Sequence, residues 1–171
     1  YSPRAFSDQS VEEDKLNSIF EAARWAPSAS NIQPWRFIIG LKEKDENYNK
    51  IFNSLVEWNQ EWAKYAPVLI AVVGYKINIK SGKLNLCWQY DCGQAAAHLT
   101  FEASSLGLYV HQMAGFDKEK IMAEFDLTDD YEPITVISVG YLGDYQLLPE
   151  KFRELEIAER HRKPTQEIFL R

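Results

Sequence analysis

The chain has 171 residues, 46% hydrophobic and 26% charged, with a formal net charge of −6. That length allows one domain with a sizeable core, while the acidic balance argues against nucleic acid or an anionic membrane as a general partner. No apolar run approaches the ~20 residues of a membrane-spanning helix, and no signal-peptide pattern opens the sequence.

Ser10, with Glu13 three residues on, has the form of a capping box. Leu16, Ile19, Phe20 and Ala23 then recur at helical spacing and predict a helix over 11–26. Ala26 to Phe37 follows as a loop of small and amide side chains between Pro27 and Pro34. The two prolines fix their own φ and keep Ala26 and Gln33 out of the right-handed helical region. Ser28, Ser30 and Asn31 offer short polar groups to backbone or to a ligand. Phe37, Ile38 and Ile39 predict a strand over 36–41, with Gly40 weakening its end.

Residues 45–65 read as two helical pieces, with Ile51, Phe52, Leu55 and Val56 on one side and Pro67 as the stop. Val68 to Val73 is a continuous apolar run, as expected of a strand buried on both faces. Lys76–Leu84 is a polar surface loop. Trp88–Leu106 is the longest helical stretch, rich in alanine, and Gly107 should cap it. Cys87 and Cys92, five apart, suit neither a disulfide nor a zinc knuckle; two buried reduced thiols fit the cytoplasm. Leu108–His111 reads as a short strand, 118–125 as a short helix and Ile134–Tyr141 as a third convincing strand. Beyond Gly143 core-like periodicity thins, and a tail of this kind needs another surface to lie on.

No protein-borne catalytic set stands out. His98, His111 and His161 lack metal-ligand spacing, so no metal is expected, and a GxSxG elbow, a Walker loop and a GxGxxG fingerprint are missing. An enzyme of this composition would leave the difficult electronic step to a cofactor. Trp35 reads as core, and Asp91 and His98 as structural.

The stretch Ala26-Pro27-Ser28-Ala29-Ser30-Asn31-Ile32-Gln33-Pro34-Trp35-Arg36-Phe37 closely resembles the APSxxNxQPWxF-like loop of the FMN-dependent nitroreductase family. Tyr1–Phe6 resembles the end of that family's R-x-S-x-R-x-F motif. Leu106–Asp117 is similar to its glycine-containing "GFD" segment, and Arg160–Pro164 to its C-terminal K/R-x-R-x-P element. Four motifs in family order span almost the whole chain.

The resemblance implies an α+β, nitroreductase-like fold: one domain over 1–171, with a mixed central sheet flanked by helices. It further implies a symmetric homodimer in which a C-terminal extension, about 144–171, packs on the partner subunit. Two FMN molecules would lie at the dimer interface. By the same resemblance, Ser2 bonds the phosphate-ribityl end and Arg4 lies over the N1/O2 edge. Arg160 and Arg162 hold the phosphate. Met113, Ala114 and Gly115 form the turn whose last two residues present backbone N–H groups near N5 and O4. Pro27, Ser28 and Asn31 come from the opposite subunit to wall the ring, and Asn59 bonds the pyrimidine edge.

The family places an arginine two positions before the serine matched by Ser2, and the sequence given starts at Tyr1; either that arginine precedes Tyr1 or phosphate binding leans on Arg160 and Arg162. The implied reaction is ping-pong: NAD(P)H gives a hydride to flavin N5, and a nitroaromatic, quinone or similar flat acceptor then takes the electrons. Alternatives within reach of the same residues are a reductive dehalogenase-like or flavin-fragmenting member, or a non-catalytic FMN-binding dimer.

Overall fold

The computed structural model describes residues 1–170. Along the chain lie α1 (Glu13–Arg24), β1 (Trp35–Leu41), α2 (Glu46–Ser54), α3 (Glu57–Ala63) and β2 (Val68–Tyr75). These are followed by α4 (Trp88–Ser105), β3 (Tyr109–Met113), α5 (Lys118–Glu124), β4 (Tyr131–Gly140) and α6 (Glu150–Ile157). The strands make a sheet in the order β1-β2-β4-β3. The class is α+β, as expected, but the sheet is antiparallel at each of its three pairings rather than mixed. β2 and β3 do run the same way, joined through α4, yet β4 lies between them and opposes both.

Side-chain alternation on the strands builds two cores, one on each face of the sheet. Val68, Ile70 and Val72 of β2 and Ile137 and Val139 of β4 face α1 and α4, meeting Leu16, Ile19, Cys92, Ala95 and Leu99. Leu69, Ala71 and Val136 face the other way, toward Tyr48, Ile51, Trp62, Ile121 and Phe152. Val68 to Val73 are each at most 1% exposed. Each fully buried Val, Leu or Ile side chain contributes about 1.5–3 kcal/mol, so this strand is the centre of the fold.

Local signals explain most boundaries. Asp45 caps α2 by accepting from the Tyr48 N–H, and Asp117 caps α5 by accepting from Lys120 N–H. α4 ends in a Schellman motif: Leu108 N–H reaches the Ala103 carbonyl at 2.8 Å, with Gly107 at φ 75°. α1 starts after Glu12 with no side-chain cap, so Ser10 does not play the expected role. Glu12 instead accepts from the Tyr141 hydroxyl at 2.6 Å. Gly40 also differs from expectation, because a Cβ there would run into the backbone of Tyr48. It is the clearance that lets α2 lie on β1. Cys92 is buried as predicted, its thiol pushed up to about 12 by desolvation, whereas Cys87 is exposed because it precedes α4 instead of lying within it.

The larger surprise lies in the last thirty residues. Leu148, just before α6, and Phe152 and Glu156 on it are buried against their own chain, and residues 158–170 are exposed throughout. Two of those three contacts come from one short helix, too brief to show a convincing period in the sequence.

Candidate functional site

The chain before α1 is held by one isolated backbone bridge and by side chains. Phe6 bridges Leu142, and Ser7 N–H donates to the Tyr141 carbonyl at 3.0 Å. Before that point Arg4 N–H lies 2.9 and 3.0 Å from the two carboxylate oxygens of Glu156, and Ala5 N–H lies 3.1 Å from Oε1. From β3, His111 Nδ1 donates to the Pro3 carbonyl at 2.9 Å, since a carbonyl can only accept.

This places the Arg4 guanidinium 6.0 Å from the Trp62 ring centroid, with His111 packed against Trp62 at 4.4 Å. Arg4 Nε and Trp62 Nε1 are both buried with no hydrogen-bond partner among the described residues. Burial holds the His111 imidazole below its ordinary value, and the neighbouring Arg4 charge adds to the effect. Tyr1 is pushed well above the usual phenol range by burial and by Glu156.

Ser2, Arg160 and Arg162 line one open cavity of about 190 Å³ together with Tyr1, Leu155, Glu156 and Ala158. They meet because α6 stops at Ile157 and an extended Ala158 turns the chain back past residue 1. The Arg160 guanidinium lies 5.6 Å from the Tyr1 ring centroid. Two guanidinium forks and a hydroxyl around one opening suit a phosphate monoester.

The turn after β3 is the third part. Met113 is buried in the core, while Ala114 is exposed and Gly115 half-buried. The Gly115 carbonyl accepts from Val56 N–H at 3.1 Å and from Asn59 Nδ2 at 3.0 Å. The N–H groups of Ala114 and Gly115 find no acceptor among the described residues. Asn59 thus donates from its amide nitrogen to this turn, beside the pyrimidine-edge role that the family resemblance implies for it.

Pro27, Ser28 and Asn31 lie elsewhere. Their loop carries a 3₁₀ turn at Ala29–Asn31, with Ser30, Asn31 and Gln33 at φ values of 53°, 54° and 53°. Three non-glycine residues in the left-handed region are a costly local arrangement. Several contacts hold it: Ser28 Oγ accepts from Gln33 N–H at 3.0 Å, and the buried Asp91 carboxylate accepts from Ala29 N–H at 3.1 Å. The Lys80 ammonium donates to the Ser30 carbonyl. The loop feeds β1, at one edge of the sheet, whereas Pro3 and His111 meet on β3, at the other edge. Three strand spacings, about 14 Å, separate those edges. Within one chain the loop and the cavity do not meet.

Glu156, Trp62 and His111 escaped the sequence reading. Glu156 had a faint signal as an acidic residue shortly before an Arg-x-Arg pair; nothing in the spacing marked the other two.

Comparison with known proteins settles the family. The model of the nitroreductase family matches residues 1–63 and 40–141. The chain belongs to the nitroreductase family. A Mycolicibacterium smegmatis protein, described as an uncharacterized 15.4 kDa protein, is 44% identical over 145 residues, covering 79% of this chain and 90% of that protein. A crystal structure described as an oxidoreductase containing FMN is 34% identical with a TM-score of 0.92, covering 99% of this chain and 86% of its own. A nitroreductase family protein from Clostridium difficile is 29% identical with a TM-score of 0.75, over 99% and 92% of the two chains. This family member is thus built like known members of the family.

Proposed function

We propose that this nitroreductase-family chain is an FMN-dependent oxidoreductase acting as a symmetric homodimer, with NAD(P)H as donor and a flat nitroaromatic or quinone as acceptor. The observation that carries it is the convergence of Ser2, Arg160 and Arg162 on one cavity, beside a buried Arg4 Nε that lacks an acceptor. Such a donor set fits FMN at both its phosphate and its ring. Bound there, FMN supplies a two-electron couple that takes hydride from the nicotinamide and passes electrons to the acceptor.

The chain's own residues bind and orient. Ser2, Arg160 and Arg162 hold the phosphate by charge-assisted hydrogen bonds. Arg4 would face the pyrimidine edge of the ring, and the burial of its Nε would make an interaction with negative charge there stronger than in water. The free N–H groups of Ala114 and Gly115 orient the opposite edge of the ring, with Met113 anchoring their turn in the core. Asn59 acts through the Gly115 carbonyl.

The second subunit supplies Pro27, Ser28 and Asn31, which one chain leaves at the wrong edge of its sheet. α4 supports this assembly. Its outward Tyr90, Gly93, Ala97 and Phe101 recur at three- and four-residue steps, and Tyr90 and Phe101 are 73% and 74% exposed. A helix apolar on both faces belongs inside a larger assembly. The exposed residues 163–170, with Ile168 and Phe169, follow the cavity-lining Arg162 and form the segment that lies on the partner. With FMN held by these residues, donor and acceptor would bind in turn and give ping-pong turnover, in the cytoplasm. Purified protein that is yellow, and that NADPH or NADH bleaches without oxygen, supports this reading. Protein with no measurable affinity for FMN ends it.

A further inference from the structure

Glu156 is buried, 7% exposed, and takes part in no ion pair among the described residues. A carboxylate in that position is costly unless strong donors satisfy it. Both its oxygens accept from Arg4 N–H, and Oε1 also accepts from Ala5 N–H. The Tyr1 hydroxyl adds a bond to the Glu156 backbone carbonyl at 3.3 Å. These bonds tie together segments 151 to 155 residues apart in sequence. On one side of the tie Ser2 precedes Arg4 by two positions; on the other Arg160 and Arg162 follow Glu156 by four and six.

We propose that Glu156 is a positioning residue for FMN recognition: its carboxylate latches α6 to the N-terminal segment and so brings Ser2 into one phosphate-binding cavity with Arg160 and Arg162. This rests on the flavin reading above and adds to it the residue that sets the phosphate grip. Glu156 lines the same cavity, yet both its carboxylate oxygens are occupied by backbone donors, which spread its charge over the N-terminal segment. Glutamine at this position keeps the shape but offers one acceptor oxygen and an NH₂ group that opposes the Arg4 N–H. The N-terminal segment then loses its hold and the phosphate partners drift apart, while the ring contacts made by the Gly115 turn, which Val56 and Asn59 fix independently of Glu156, persist.

The test compares FMN with riboflavin, which has the ring and ribityl chain but no phosphate. Glu156→Gln should weaken FMN binding by roughly tenfold or more, the loss expected when hydrogen bonds to a charged group are removed. Riboflavin affinity should change far less, so the preference for FMN over riboflavin collapses. A general loss of packing would lower both affinities together and leave the preference intact, which overturns the proposal; so would tighter FMN binding in the variant. Should the variant fail to fold, amide exchange in wild-type apoprotein decides. The Arg4 and Ala5 amides should be protected well beyond the Ser2 amide, and exchange as fast as Ser2 overturns the latch. Wild-type protein that binds neither flavin sinks the flavin reading itself, whereas wild-type binding with an unaltered preference in Glu156→Gln sinks Glu156 alone.

Discussion

Asn59 and Gly115 are joined by a 3.0 Å hydrogen bond from the side-chain amide to the backbone carbonyl, and the same carbonyl takes a second bond from Val56 N–H. The turn after β3 is thereby fixed to α3 with its own N–H groups left free. Gly115 is needed for the fit, since a Cβ there would come within 2.8 Å of Asn59 Nδ2 and 2.9 Å of Val56 Cγ2. Asn59→Asp removes the donor and sets a carboxylate against a carbonyl. It should cost about 1–3 kcal/mol, read as a lowered denaturation midpoint, and should weaken flavin binding in parallel. Gly115→Ala should do likewise through overpacking. Unchanged midpoints in both variants would mean that the turn is held by other contacts.

The phosphate and ring assignments separate by variant. Arg160→Ala combined with Arg162→Ala should lower FMN occupancy at least tenfold, by roughly 1.5–3 kcal/mol for the first charged partner lost. Trp35→Phe, a change within the core, should leave occupancy unaltered. Arg4→Ala should lower the flavin reduction potential, because a cation near the pyrimidine edge stabilises the reduced, more negative ring. Equal occupancy across the first set, measured by absorbance of the purified proteins, would remove the phosphate role. An unchanged potential would remove the role given to Arg4.

A charge placed on the outward face of α4 should split the assembly. Tyr90→Glu with Phe101→Glu touches no residue of the buried cores, so a folded monomer is the expected product by light scattering. That monomer should hold FMN weakly, because Pro27, Ser28 and Asn31 of a second subunit no longer reach the ring. A variant that remains dimeric with full flavin content would place the interface elsewhere.

How much of this was legible in the sequence depends on the range of the interaction. The run Val68–Val73, the capped α4 and the helices around Ile19 and Ile51 are written in local patterns, and each appears within a few residues of expectation. The sheet was harder. Strand order depends on β4 inserting between β2 and β3, a pairing of distant segments that no local period encodes. Ser10 has the composition of a cap, but Glu12 precedes the first helical turn and is drawn off by Tyr141. At the site, Arg160 and Arg162 could be matched to a motif, while Glu156 could not, because its importance lies in accepting from backbone N–H groups at the other end of the chain. Backbone donors have no signature in a sequence.

His111 offers a pH readout of the same region. It contacts Trp62 of α3, bonds the Pro3 carbonyl, and is faced by Arg4 from the N-terminal segment and Glu156 from α6. Burial holds its imidazole below the ordinary value, so on acidification the unfolded chain takes up this proton first. The stability lent by neutral His111 is complete above the unfolded imidazole's value of about 6.5 and is lost as pH falls from there through the lower folded value. His111→Gln cannot titrate but can still donate to the Pro3 carbonyl. The denaturant midpoint of the wild type should therefore fall more steeply over that acidic window than the midpoint of His111→Gln, with the two converging in slope above it. Parallel curves across the whole range would show that His111 carries no proton linkage to folding.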